Sequence, residues 1–211
     1  MSGTNGMMVE TRTPNRLSAV ADVARARLAA GEVPVIVHPL GFACARIEPG
    51  LCVHAWLPGE PGLAPDPDVS AIHRHSWELA ESRVLTGGLA NTAYDVAASP
   101  RDIATGRLYR IDCGPDADAV IATERFVQHA ASSTDCYGPG DVYSLAAGRY
   151  HSTHAAEATV TLMRAVDRGG LDMAVGPLRA PSAPRTMQRR PASPVLAEHV
   201  TRLTLQHLGD C

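Results

Sequence analysis

The chain contains no lysine; all 19 of its basic residues are arginine. Schiff-base chemistry needs a lysine amine and a phosphate-loop nucleotide site needs its lysine, so both classes fall away. Aromatic residues are scarce at 4%, which leaves Val, Leu, Ile and Ala to fill an interior. Net charge is small, formally -3 with a pI near 6.3, and gives no basic footprint for nucleic acid or anionic lipid. The five cysteines, Cys44, Cys52, Cys113, Cys136 and Cys211, are odd in number, scattered and never spaced as CxxC. Neither a disulfide framework nor a zinc knuckle is indicated, and free thiols in a reducing compartment are expected. No G-x-S-x-G is present for a nucleophilic serine. No stretch is long and apolar enough for a bilayer, and residues 1–12 lack the apolar centre of a signal peptide. These absences predict a cytoplasmic protein acting on a small molecule, with neither membrane nor nucleic acid as partner.

What is present reads as one domain with appended ends. With 211 residues, 45% hydrophobic and 19% charged, the chain can bury a sizeable core without staples. Residues 1–13 are polar and expected to be disordered. Leu17, Val20, Ala21, Ala24 and Leu28 then recur at helical spacing behind Asn15, a candidate N-cap, with Gly31 closing the run. From 33 to 166 the pattern becomes short runs rich in Val, Ile, Tyr and Leu, separated by Gly, Pro, Asp and Asn. Strands are predicted near 33–38, 42–48, 51–57, 69–75, 82–85, 89–96, 107–113, 125–131, 141–145 and 158–166. Many short strands without intervening helices point to a sandwich, barrel or jelly roll. Segment 167–194, rich in proline and arginine, is expected to be irregular surface chain. A closing helix follows from Pro194 to about Leu208, with Ser193 as N-cap, proline at its first position and Gly209 at its end.

His73 and His75 are two apart in a run read as a strand, so the pleat puts both imidazoles on one face and Arg74 on the other. Two imidazoles on one face can chelate a metal, although an HxH pair by itself is weak evidence. More comes from Gly140-Asp-Val-Tyr-Ser-Leu-Ala146-Ala-Gly148-Arg-Tyr-His151. This segment matches the second cupin motif, G-x5-P-x-G-x2-H, at every spacing, with Ala146 in place of the proline. The first cupin motif, G-x5-HxH-x3–4-E-x6-G, is matched in part by His73-Arg-His75 and the residues to Gly88. The chain therefore resembles the cupin superfamily over residues 72–154, and this implies an all-β fold. The expected architecture is a double-stranded β-helix, or jelly roll, with N-terminal and C-terminal helices and a cupin domain over 14–166. It further implies a metal ion on His73, His75 and His151.

The motif's glutamate is out of register. Counting four residues past His75 reaches Ala80, with Gly87 as the motif glycine; a one-residue bulge would instead bring in Glu81, with Gly88 as the glycine and Arg83 sharing its inward parity. The first register needs no insertion and is preferred, which leaves three imidazoles and no carboxylate. A neutral three-histidine face with open positions resembles the thiol dioxygenases among the cupins. That resemblance implies Fe(II), with Zn, Ni or Mn as alternatives, and an oxygenase acting on a small polar metabolite. The competing readings are a redox-inert isomerase or lyase using Glu78 or Glu81 as base, and a non-catalytic ligand-binding cupin whose arginine-rich stretch 179–190 docks a partner. Cupins of this kind often pair through strand exchange or edge pairing, so a homodimer is also expected.

Around the third ligand, Arg149, Tyr150 and His154 are the candidate catalytic residues. Arg149 can fork onto a substrate carboxylate and His154 can carry a proton. The bland alternative for Arg149 and His154 is a solvent-facing turn or strand end. Trp77 is read as packing at the barrel mouth. Tyr94, Tyr109, Tyr137 and Tyr143 are core or rim aromatics among which no spacing argument selects. His38, His54, His129, His199 and His207 fall in no ligand spacing and are read as structural.

Overall fold

The computed structural model describes residues 16–65, 70–114, 116–179 and 183–209, and of residues 16–19 the backbone alone. The expected disordered start, 1–13, and the candidate cap Asn15 lie outside the described residues. Helix α1 spans Arg16–Ala29 and turns Ala21, Ala24 and Leu28 inward. Gly31, at φ 69, ends it by donating its N–H to the Leu28 carbonyl at 3.1 Å, a left-handed position that glycine occupies without a Cβ penalty. Helix α2 spans Pro194–Leu208. The Ser193 hydroxyl accepts from the Leu196 N–H, proline begins the helix, and Leu196, Val200, Thr204 and Leu208 are buried at spacings of four.

Most of the rest of the described chain is β. Its strands are β1 Val35–His38, β2 Phe42–Glu48, β3 Leu51–Trp56, β4 His73–Arg74, β5 Trp77–Thr86, β6 Leu89–Ala98, β7 Gly106–Cys113, β8 Ala117–Tyr137, β9 Val142–Leu145, β10 Tyr150–His154, β11 Thr159–Asp167, β12 Asp172–Gly176, β13 Arg185–Gln188 and β14 Arg190–Pro191. They form two antiparallel seven-stranded sheets, ordered β14-β1-β2-β3-β11-β5-β9 and β13-β8-β6-β10-β4-β12-β7. This is a sandwich of the jelly-roll kind, as the strand pattern predicted.

Two expectations need correction. Segment 167–194 is not irregular, because it supplies β12, β13 and β14 to the sheets. Its strands are short and mixed with proline and glycine, so they lack the alternation that marks a strand from sequence. Strand β8 is also far longer than the predicted 125–131. Residues 118–127 pair with β7 and residues 127–137 pair with β6, so β8 links both ends of the second sheet.

Three apolar layers result. Helices α1 and α2 cover one face of the first sheet through Ala43, Ala45, Val53, Ala55, Val160 and Leu162. A second cluster, with Leu79, Val84, Tyr143 and Met163, fills one end of the space between the sheets. A third, with Leu108, Val127, Tyr150, Met173 and Val175, lies against the second sheet. Between the sheets a cavity of about 1760 Å³ remains.

Candidate metal centre

Strand β4 is short but held on both sides. His73 stands opposite His151 of β10 and opposite Ala174 of β12. His75 follows β4 and is fixed by the turn before β10, where the Gly148 N–H donates to the His75 carbonyl at 2.8 Å. Gly148 has φ 77, so this glycine lets the turn reach back to the HxH segment. The His75 ring stacks on Trp77 at 4.0 Å between centroids. Ring centroids are 4.5 Å apart for His73 and His151, 4.7 Å for His73 and His75, and 5.5 Å for His75 and His151.

One ligand atom from each of the three histidines lies within 4.8 Å of the others. Imidazole nitrogens at about 2.0–2.1 Å from a zinc ion can be at most about 4.2 Å apart, so small ring movements suffice for a shared ion. The other ring nitrogens are oriented for this. His73 Nδ1 is 2.9 Å from the Ala71 carbonyl and His151 Nδ1 is 3.1 Å from the Arg149 carbonyl. A proton on each Nδ1 satisfies the carbonyl and leaves Nε2 as a lone-pair donor. Burial, then the positive field of the neighbouring imidazoles, holds the His73 pKa well below its ordinary value. Burial, with His75 nearby, pushes that of His151 down to about 4. Both rings are therefore neutral at physiological pH, the form that binds a metal.

A fourth residue, missed in the sequence, completes this arrangement. His75 Nδ1 is buried without a hydrogen bond and lies 3.7 Å from Asp172 Oδ2. Asp172 also accepts from the Ser76 N–H and from the Cys113 thiol. Burial works against its ionisation, but the contacts with His75 and Ser76 outweigh that cost and hold its carboxyl below the usual carboxylate range. A small ring rotation brings His75 onto this carboxylate, as metal-bound histidines commonly are. The residues present thus fit a three-histidine metal site.

The cavity wall differs from the sequence reading. His38, His54 and His129, read there as structural, all line the cavity, as do Phe42, Cys44, Arg46, Cys52, Trp56 and Tyr143. Register explains the gathering: Cys44 stands opposite His54 and Arg46 opposite Cys52, and alternate residues of adjacent strands share one face. His38 and His54 have their pKa values pushed down to about 3, chiefly by burial.

The candidate catalytic residues beside His151 do not join the site. Tyr150 turns to the opposite face of β10, into the third apolar cluster, beneath the Arg74 guanidinium. His154 is exposed and does not line the cavity. The Arg149 guanidinium binds Ser132 Oγ at 3.0 Å and lies 3.6 Å from Asp95. Strand parity accounts for Tyr150 and His154, an odd number of residues from His151, and the turn at Gly148 accounts for Arg149.

Glu81 also stays outside, though not for the reason expected. Trp77 and Leu79 of β5 line the cavity and Ala80 does not, and the register shifts between Leu79 and Ser82. Past this bulge Glu81 stands opposite Arg164, whereas Ser82 stands opposite cavity-lining Met163. Gly87 has φ 74, and a Cβ there would come within 2.2 Å of the Ala158 carbonyl oxygen, so this turn into β6 requires glycine.

Comparison with protein-family models gives no match to this chain, and comparison with curated proteins gives none. The two antiparallel sheets and the histidine cluster are compatible with a cupin-like metal site, and no helix among the described residues is long and apolar enough to cross a membrane.

Proposed function

We propose that the chain is a mononuclear metal-dependent enzyme of cupin type, an Fe(II) oxygenase whose small-molecule substrate carries an anionic group. The observation that carries this reading is the convergence of three imidazoles, with no carboxylate grouped with them at ligand distance among the described residues, on a cavity large enough to admit substrate beside them. A bound iron ion would supply dioxygen chemistry at the positions the histidines leave open. His73, His75 and His151 would hold it, Asp172 would orient His75, and the backbone carbonyls of Ala71 and Arg149 would fix the other two rings. The Arg46 side chain, which is exposed and lines the cavity, has no carboxylate partner among the described residues, which suits an anionic substrate.

The isomerase or lyase reading, with Zn, Ni or Mn as Lewis acid, needs a base beside the ion. Glu78 is tied to Arg168 at 2.7 Å and Glu81 faces away, so the two carboxylates proposed for that role are otherwise placed. The arginine-rich arm of the non-catalytic reading is not free either: Arg189 is paired with buried Asp118 at 2.8 Å. The test is the metal content of protein purified without air or chelator, followed by oxygen uptake with a panel of metabolites. His151→Ala is expected to keep its circular dichroism spectrum and lose the ion. Stoichiometric metal in that variant would overturn the site.

A further inference from the structure

The cavity is larger and more aromatic than a small polar substrate requires. Binding pockets for drug-sized molecules commonly occupy about 300–1,000 Å³, and this one reaches about 1760 Å³. Its floor carries four contiguous rings. Phe42 is stacked on His38 at 4.4 Å between centroids and lies 4.7 Å from His54 and 5.3 Å from Trp56. Phe42 itself is 8% exposed, while His38, His54 and Trp56 around it are only half-buried and turn their open surface to the cavity. The platform belongs to β1, β2 and β3 of the first sheet; His73 and His151 belong to the second sheet. A ligand lying on the rings can thus face the metal centre from across the cavity.

Ring edges and faces of this kind favour flat π-systems, by offset stacking and edge-to-face contact. A flexible aliphatic chain would gain the area but not the ring geometry, and an amino acid would leave most of the floor uncovered. We propose that the cavity takes a flat aromatic acid of at least two fused rings, its ring system on the His38, Phe42, His54 and Trp56 platform. This assignment deepens the reading of the cavity as the substrate site of the metal centre and rests on it.

Both tryptophans of the chain, Trp56 and Trp77, line the cavity, so ligand binding can be read without turnover and without metal. The experiment titrates metal-free full-length protein with cysteine, cyclohexylacetate, phenylacetate and 2-naphthylacetate, using calorimetry for affinity and tryptophan emission for location. Phenylacetate should bind more tightly than cyclohexylacetate, and 2-naphthylacetate roughly ten-fold more tightly again, the gain expected from the apolar area of one more ring. Trp56→Leu should abolish the preference for the second ring while leaving iron binding to the histidines intact. Phe42→Leu should do the same, and Trp56→Leu stands alone if that buried position does not tolerate change. Equal affinity for cysteine and the two aromatic acids, or an undiminished ring preference in Trp56→Leu, would overturn the proposal. Iron binding is measured on the same wild-type preparation. A failed ring series with stoichiometric iron rejects the substrate class alone, and a successful series without iron rejects the metal reading alone.

Discussion

Along β2, β3 and β11 the residues facing the helices alternate with those facing the cavity, and the two sets share almost no chemistry. On the helix side Ala43, Ala45, Val53, Ala55, Val160 and Leu162 are all 0% exposed. On the cavity side the same strands present Cys44, His54, Trp56 and Met163. The residues of one face are small and branched apolar groups packed under α1 and α2. The other carries sulfur, imidazole and indole groups, with Cys44 and Met163 buried and His54 and Trp56 half-buried. Stability is concentrated on the first face and chemistry on the second, which is possible because a strand's period of two assigns neighbours to opposite sides.

That division can be broken from the helix side. Leu162→Ala should cost about 2–5 kcal/mol of stability, from lost burial and the cavity left behind, as measured by chemical denaturation. The folded fraction should bind metal with unchanged stoichiometry, because Leu162 does not touch the histidines. A variant that keeps its stability but loses metal would mean that the two faces are not separable.

A smaller effect is expected at the rim of the site. Asp172→Asn removes the charge facing His75 and should weaken metal affinity roughly 10–100-fold, read by competition with a chelator, with little change in secondary structure. Unchanged affinity would show that His75 is held by its stacking on Trp77 alone.

The cavity face should also make stability depend on pH, because His38 and His54 line it. His38 and His54 titrate near 3 in the folded chain and near 6.5 when unfolded. Between these values the unfolded state binds more protons, so stability present above pH 6.5 is lost as the pH falls towards 3. Each histidine contributes at most about 1.4 kcal/mol per pH unit across that window, and less here because the cavity reaches water. A metal-free melting temperature that falls between pH 6.5 and 4, with a shallower slope in His54→Leu, is the expected outcome. An identical slope in the variant would place the pH dependence elsewhere.

Sequence reading succeeded where the signal is local. The Ser193, Pro194 and Gly209 pattern bounds α2, and the spacing of Gly148 and His151 marks the turn that carries the third histidine. It failed where strands meet across long separations. His38, His54 and Asp172 sit in no ligand spacing, because β1, β3 and β12 bring them to the cavity through pairing registers that no local pattern encodes. The strand β12 lies in a stretch rich in glycine and arginine, and β8 is exposed over residues 130–136, so neither shows the apolar alternation of a half-buried strand. For Tyr150 and His154 a local rule suffices: the period of two that puts His73 and His75 on one face turns both residues of β10 away from the His151 side.

The smallest expected effect concerns Glu81, the residue that would have been a ligand had β5 taken the other register. A bulge sits between Leu79 and Ser82, so parity counted from His75 cannot decide the side, and pairing has to. Glu81 stands opposite Arg164, whose neighbours Met163 and Ala165 line the cavity. Arg164 therefore points away from the cavity, and Glu81 with it. Glu81→Gln removes one charge from a cross-strand pair of opposite sign, an interaction of roughly 0.2–1 kcal/mol, and touches nothing that binds an ion. Its metal affinity should equal that of the wild type in a chelator titration. If Glu81→Gln instead lost the ion as completely as His73→Ala, β5 would be in the other register, a carboxylate would join the three histidines, and the Lewis-acid and oxygenase readings would stand level.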